Sequence, residues 1–428
     1  MTLKEPAVKG LPIMQRTFRL AALCAAAALI AGCATAVRPY VPAKSVPPRA
    51  AVARRPRVPR PRVRAVRIPL SEVRIALLLP QSGPLSGAGQ SVRDGFLTAY
   101  YQLPPAQRPH VRIYNTATAG SMRSLIERAV RHGADFIVGP LTRPNVAAAA
   151  AAAEGAAHPP MLALNFLPHG ARAPQRFYQF ALSPTAEARM VARRVLADGH
   201  RVGIAIVPSG QWGTRVLDAF SRQFQAGGGR LLATTRIDLS RNDYAGPITH
   251  VLLINQSYQR LRDLESLFGM PLKFVPRRRQ DIQFIFAPAP ASAERQIEPE
   301  LRFFYANGVP TYSTSDAFVP DPTANENLDG LRFLDMPWML GGPLPDAVRA
   351  AARAAWPAGG PHLGRLFAFG FDAYHLTVAL LEGHVGPGGL IDPNGLTGRL
   401  RLGPGGHIHR GLIWAKLENG QIRFLPRH

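Results

Sequence analysis

Along most of the chain, short apolar runs alternate with stretches in which apolar positions recur every three or four residues. Residues 73–79 form one such run, closed by Pro80, and residues 88–103 follow with Val92, Phe96, Leu97 and Tyr100 at helical spacing. The cycle repeats: strands are predicted at 111–114, 135–138 and 161–164, with helices near 122–131 and 145–157 between them. Buried strands joined in series by helices call for parallel pairing, because the crossover must return the chain to the same edge. This predicts a doubly wound lobe of about residues 71–181, with later segments returning to it.

After Phe180-Ala-Leu-Ser-Pro184 the alternation resumes. Helices at 185–198 and 213–225 interleave with strands at 202–207 and 230–237, and helical stretches near 244–254 and 257–268 precede a strand at 281–286 and a helix at 291–306. A second lobe of about 184–308, with part of the C-terminal region, follows from this series. The remainder predicts strands near Thr311 and 331–333, helices near 345–355 and 366–381, and a glycine-punctuated β-rich end over 396–424. Two Rossmann-like lobes in one chain imply a cleft between them.

The first 70 residues break the pattern. A basic start (Lys4, Lys9, Arg16, Arg19), an apolar stretch from Leu20 to Ile30, and Ala31-Gly32 before Cys33 have the three-part build of a secretory signal. The stretch is well short of the roughly 20 apolar residues that span a bilayer as a helix. Translation from Met14 would give a tighter signal than translation from Met1. Leu29-Ile-Ala-Gly-Cys33 resembles a bacterial lipobox, which implies that residues 1–32 are removed, Cys24 with them, and that Cys33 carries the lipid. An ordinary signal with an incidental cysteine is the plain alternative. Ala34 after that cysteine, where no aspartate retains the protein at the inner membrane, implies delivery to the outer membrane by its resemblance to lipoprotein sorting signals. The expected location is therefore the outer membrane, lipid-anchored and facing the periplasm.

The segment beyond Cys33 is set apart by its composition. Between Arg38 and Arg67 there are nine arginines, Lys44, no acid, and prolines at 39, 42, 47, 48, 56, 59 and 61. Such a segment lacks the apolar residues for a core, and fixed φ angles with like-charge repulsion predict an extended, disordered tether over residues 33–70. Its arginines could pair with lipid phosphates or with the carboxylates of peptidoglycan, or serve only to keep the spacer extended. Export argues against nucleic acid, the other ligand of such charge runs. Of the chain's net charge of +24, +11 remains on residues 71–428, so the globular part is basic as well and would suit acidic surroundings. With 428 residues, 46% of them hydrophobic, fibrous and wholly disordered classes are excluded. Two cysteines, both before residue 34, leave neither a disulfide framework nor a cysteine zinc site for the body.

Several stretches resemble the penicillin-binding protein activators of the LpoA type. They are Ile75-Ala-Leu-Leu-Leu-Pro-Gln-Ser-Gly-Pro-Leu85 with Gly89-Gln-Ser-Val-Arg-Asp-Gly-Phe96, Val138-Gly-Pro-Leu141, Leu162-Ala-Leu-Asn165 and Phe180-Ala-Leu-Ser-Pro-Thr-Ala-Glu-Ala-Arg189. Pro276-Arg-Arg-Arg-Gln-Asp281, Asp335-Met-Pro-Trp338 and Ala368-Phe-Gly-Phe-Asp-Ala-Tyr374 continue the match in order. The resemblance implies a type I periplasmic-binding-protein fold. It also implies an outer-membrane lipoprotein that docks on a class A penicillin-binding protein and stimulates its crosslinking of peptidoglycan allosterically, without supplying a catalytic residue. Better-known members carry a domain of helical repeats ahead of this one. No self-similar helical period appears here, and the tether stands in its place. A tethered receptor for amino acids or cell-wall peptides is the competing expectation.

Candidate chemistry adds little to either reading. The chain has no Gly-x-Ser-x-Gly elbow, no Walker-type loop and no His-Glu-x-x-His motif, so neither catalysis nor a cofactor is expected. His407 and His409 alternate as on a strand, but two histidines without a nearby acid or cysteine make a poor metal site. Asp238 with Asp243, and Asp316 with Asp321, read as turn and cap residues. The loops expected at the cleft carry Ser82, Ser86, Leu141, Thr142, Asn165, Ser209, Gln211 and Trp212, which could hold a carboxylate or amide or merely cap helices. Arg277, Arg278, Arg279 and Trp338 are the candidate partner surface, or else intramolecular ties and core.

Overall fold

A computed structural model describes residues 69–154, 157–355 and 363–426, all within one compact unit, Val66–His428. The predicted signal, Cys33 and the arginine-rich tether lie outside the described residues.

The first sheet is built around β1 (Arg74–Leu79), which has β2 (His110–Asn115) on one side and β3 (Phe136–Val138) on the other. β4 (Met161–Ala163) and β5 (Phe177–Gln179) extend it in the order β2-β1-β3-β4-β5, all parallel. Successive side chains of β1 point to opposite faces. Ile75, Leu77 and Leu79 enter one core while Ala76 and Leu78 enter another, which is why the strand reads as a continuous apolar run rather than an alternating one. Helices α1 (Ser86–Tyr101), α2 (Met122–Arg131) and α3 (Arg143–Ala153) make the crossovers, and Ser121 and Thr142 cap the last two by accepting from the amides of Ser124 and Asn145.

The second lobe opens with α4 (Pro184–Ala197), whose N-terminus Ser183 caps. β6 (Val202–Pro208), α5 (Gln211–Ala226), β7 (Arg230–Ile237), α6 (Ala245–Val251), α7 (Ile254–Phe268), β8 (Phe284–Phe286), α8 (Ala291–Phe303), β9 (Thr311–Tyr312) and β10 (Arg332–Asp335) follow. The strands β7-β6-β8-β9-β10 are parallel. β6 repeats the two-faced pattern, with Ala205 and Val207 on one side and Ile204 and Ile206 on the other. The predicted strand at 281–286 begins only at Phe284. Arg279 binds the two carboxylate oxygens of Asp281 at 2.8 and 3.0 Å, and the Gln283 side chain accepts from the Arg201 amide, so these residues serve the turn. α6 and α7 are separated by Leu253 at φ 61°, a left-handed residue that ends one helix and redirects the next.

The chain then returns to lobe 1 through α9 (Pro337–Leu340), α10 (Pro343–Ala355) and α11 (Arg365–Glu382). α11 crosses α1 at two glycines. A β-carbon on Gly95 would lie 1.9 Å from the Phe367 carbonyl, and one on Gly370 would lie 1.9 Å from that of Val92. The two backbones therefore touch, and Phe96 and Tyr374 pack edge to face beside the crossing with centroids 5.1 Å apart. A small antiparallel sheet of β11 (Leu390–Gly395), β12 (Gly398–Leu402) and β13 (Ile408–Gly411) lies next to β5, joined by the Gln179–His407 bridge. The last strands, β14 (Ile413–Glu418) and β15 (Gln421–Phe424), cross back and pair antiparallel beside β10.

Candidate functional site

The cleft loops sit at the C-terminal ends of the parallel strands, where helix N-termini and turn residues gather. After β1, Ser82 accepts a hydrogen bond from the Asn115 side-chain amide at 2.9 Å, while Asn115 Oδ1 accepts from the backbone of Gln81 and Ala117. Ser86 is the first residue of α1. After β3 and β4, Asn165 donates to the Leu141 carbonyl at 3.1 Å and accepts from Arg143 Nε at 3.4 Å, and Thr142 caps α3. Leu141, Thr142 and Asn165 are thus brought together. Ser209 is exposed after β6, Gln211 opens α5, and Trp212 packs partly on the core. Among the described residues no hydrogen bond joins these three groups, and most of the polar side chains serve turns and caps.

Deeper, where the chain passes between the lobes, lies a cluster of charges that the residue pattern alone does not single out. The chain passes at 180–183, again after Asp335, and a third time at Leu412. Glu187, in the first turn of α4, accepts from the amide and hydroxyl of Ser315 and pairs with Arg410 of β13 at 3.1 Å. Arg365, the first residue of α11, pairs with Asp335 at the end of β10 at 2.5 Å and also donates to the carbonyls of Ser315 and Phe318. Both ion pairs join one lobe to the other. Burial pushes the Asp335 carboxyl up to about 6 against the pull of Arg365. Asp316 is likewise raised to about 6, by burial and by the nearby Glu187 charge. It is therefore part of this cluster, whereas Asp238, Asp243 and Asp321 accept from the amides of Ser240, Ala245 and Thr323 as turn and cap residues. The signal for the cluster in the sequence is local: Asp335 and Arg365 are single charges at the edges of otherwise apolar runs.

Asp372 follows the same logic. It is the one acid inside the apolar stretch of α11 before Glu382, and it accepts from the Leu396 amide and from the amide and hydroxyl of Thr397 at 2.9, 2.7 and 2.5 Å. Burial pushes it up to about 7. Buried acids tied to backbone donors in this way hold loops in place. His407 and His409 do face the same way, with ring centroids 6.5 Å apart. His407 lies within 3.3 Å of the Gln179 amide and 5.0 Å from the Phe166 ring. Among the described residues no group of three or more histidines, cysteines and acids could hold a metal, and no helix is long and apolar enough to cross a membrane.

The candidate partner surface divides. Trp338 is fully buried, stacks on Phe367 at 5.2 Å and donates its indole N–H to the Leu363 carbonyl, so it belongs to the core and presents nothing to a partner. Its apolar bulk and single donor are both satisfied inside the molecule. Arg278 donates to the carbonyls of Tyr305 and Arg279, and Arg279 is spent on Asp281. Arg277 is exposed. Beside it, α7 buries only Ile254 and Ser257. Leu267, Phe268, Met270 and Val275 are 76, 62, 59 and 66% exposed, and Leu264 and Tyr258 of α7 are exposed as well.

Two doubly wound parallel lobes, crossed three times by the chain and completed by returning segments, define the class of type I periplasmic-binding-protein-like domains. Within that class the chain belongs to the LppC family: the profile described as "LppC putative lipoprotein" matches residues 67–420. A relative from Vibrio antiquarius, "Penicillin-binding protein activator LpoA", is 28% identical over 350 residues, covering 80% of this chain and 56% of the relative. The chain thus spans little more than half the length of such relatives. The solved C-domain of LpoA (YraM) from Haemophilus influenzae, described as "a regulator of PBP1A", superposes with a TM-score of 0.61 at 23% identity, over 82% of this chain and 100% of that one. A Chromobacterium violaceum structure described as a "putative branched-chain amino acid ABC transporter" reaches a TM-score of 0.58 at 26% identity, over 81% and 100%.

Proposed function

We propose that this protein is an outer-membrane lipoprotein, held by the lipid on Cys33, that binds a class A penicillin-binding protein and stimulates its transpeptidase activity. The observation that carries the reading is the unpartnered apolar face of α7 and the segment after it. A monomer gains nothing by holding Leu267, Phe268, Met270 and Val275 in water, and contiguous apolar exposure marks contact surfaces. Arg260, Arg262, Lys273 and Arg277 belong to the same stretch of chain and would complement an acidic rim. The names of the V. antiquarius and H. influenzae relatives support the same partner. The mechanism is a population shift: docking favours the synthase conformer competent for crosslinking, and the activator contributes no reacting group. The tether would supply reach and a basic stretch able to pair with peptidoglycan carboxylates or anionic lipid.

The test is crosslinking by a purified class A synthase from the same organism, with and without the full-length lipoprotein. Stimulation that saturates is the expected result; an active synthase that does not respond would refute the proposal. A tethered receptor for amino acids or wall peptides is the second reading, favoured by the likeness to the C. violaceum protein. It requires ligand-dependent closure of the two lobes and a raised melting temperature.

A further inference from the structure

Between the lobes, α4 and α5 of lobe 2 face the loop 166–171 of lobe 1 across a crevice of about 620 Å³. Arg143, Arg189, Arg215 and Arg222 line it, and the acid in its wall is Asp218. We propose that this crevice is a binding site for a small multivalent oxyanion, a compound carrying two or more carboxylate or phosphate groups. The reading is independent of the docking surface on α7.

Four observations converge on that ligand. None of the four arginines makes an ion pair with a described residue, although Asp218 lies one helical turn from both Arg215 and Arg222. The four guanidiniums stand at the solvent-open side of the crevice, and partial burial with the charge of Arg193 one turn along α4 lowers the affinity of Arg189 for its proton, the direction expected of a cation without a counter-charge. The planar guanidinium fork matches a carboxylate or phosphate in a bidentate pair. A single monovalent anion would answer one fork and leave the others unpaired, so the arrangement selects for several charges on one molecule. Finally, Phe166, Leu167, Pro168 and Ala219 provide an apolar wall for a carbon skeleton, and the volume falls in the range of roughly 300–1,000 Å³ typical of small-molecule sites. The rigid elements hold the charges in place: Arg215 and Arg222 are two turns apart on one face of α5, and Arg143 is steadied by Asn165.

The experiment is calorimetric titration and thermal melting of the full chain at low salt, with pyrophosphate and citrate as probes and acetate as the monovalent control. Pyrophosphate or citrate should bind saturably and raise the melting temperature, the preferred probe telling phosphate from carboxylate chemistry, while acetate does neither. The double variant Arg189→Gln, Arg215→Gln should weaken binding at least about tenfold, whereas Arg241→Gln, on an exposed turn of the same lobe, should leave it unchanged. Asp218→Asn removes the one opposing charge and should tighten binding, a gain that a misfolded variant cannot mimic. Absence of saturable binding to either probe, or equal binding by the double variant, overturns the proposal.

Discussion

The guanidinium of Arg410 lies 3.1 Å from a carboxylate oxygen of Glu187, with both side chains about 95% shielded from water, and this pair ties β13 of one lobe to α4 of the other. A buried pair is costly to assemble and costlier to break, because removing one partner strands the other charge in a poorly solvated site. Arg410→Ala should therefore lower unfolding stability by about 3–5 kcal/mol, read from urea denaturation. Replacing both residues by methionine should recover most of that loss. A single variant as stable as the parent would show that water reaches Glu187.

Trp338 gives a second test on the same measurement. Its stacking on Phe367, its hydrogen bond to Leu363 and the Arg349 guanidinium 4.4 Å above its ring make it a packed core residue. Trp338→Ala should cost about 3–5 kcal/mol, and any loss of partner binding should track the unfolded fraction.

The glycine crossing of α1 and α11 predicts a sharp contrast. In Gly370→Ala the added methyl would meet the backbone carbonyl of Val92, which cannot swing aside, so the helices must part and the loss should be about 3 kcal/mol. Gly87→Ala, in the first turn of α1 with open space around it, should be neutral or stabilise by up to about 1 kcal/mol. Equal effects at the two sites would contradict the close approach.

Buried carboxyls set the pH dependence. Asp372 and Glu298 are pushed up to about 7, in both cases chiefly by burial. The unfolded chain releases those protons near pH 4. Between roughly pH 4 and 7 the native state thus binds more protons than the unfolded state, and stability falls as pH rises, by up to about 1.4 kcal/mol per pH unit for each group. Above that window these two groups add no further slope. A urea midpoint that is lower at about pH 8 than at about pH 5 is the expected outcome; the reverse order would mean these acids are ionised in the folded protein.

On the partner side, Leu267→Asp with Phe268→Asp should leave the melting temperature within a few degrees of the parent, since both residues are already exposed. Binding to the synthase, measured by surface plasmon resonance, should weaken at least about tenfold. Unchanged binding would move the contact elsewhere on the molecule.

The parts of the fold that could be read from the sequence are those whose signal is local. β1 and β6 pack on both faces, so they appear as unbroken apolar runs, and the helices after them carry apolar residues at helical spacing before a proline or a turn. What stayed hidden is what depends on distant partners. Trp338 sits in a Met-Pro-Trp-Met segment that reads equally as core or as surface, and only the return of α11 with Phe367 decides it. Glu187 looks like an ordinary first-turn acid until Ser315, after β9, and Arg410 of β13 meet it. The serine and asparagine loops lie at strand ends, where the alternation puts them, yet the crevice arginines of α4 and α5 pass for a solvated face, because nothing in their spacing shows that lobe 1 lies opposite.

The helix crossing at Gly95 and Gly370 also orders events in time. The helix that closes lobe 1 over Val92 and Phe96 leaves the ribosome only after the five parallel strands of lobe 2, so the first lobe to be synthesised stays open until most of the second has emerged. Until α11 arrives, the apolar side of α1 has no cover, and a chain cut short before residue 365 is left with an open half-domain rather than a smaller complete one. Such a chain invites chaperones and proteases, which makes the segment from residue 365 onward the checkpoint for lobe 1.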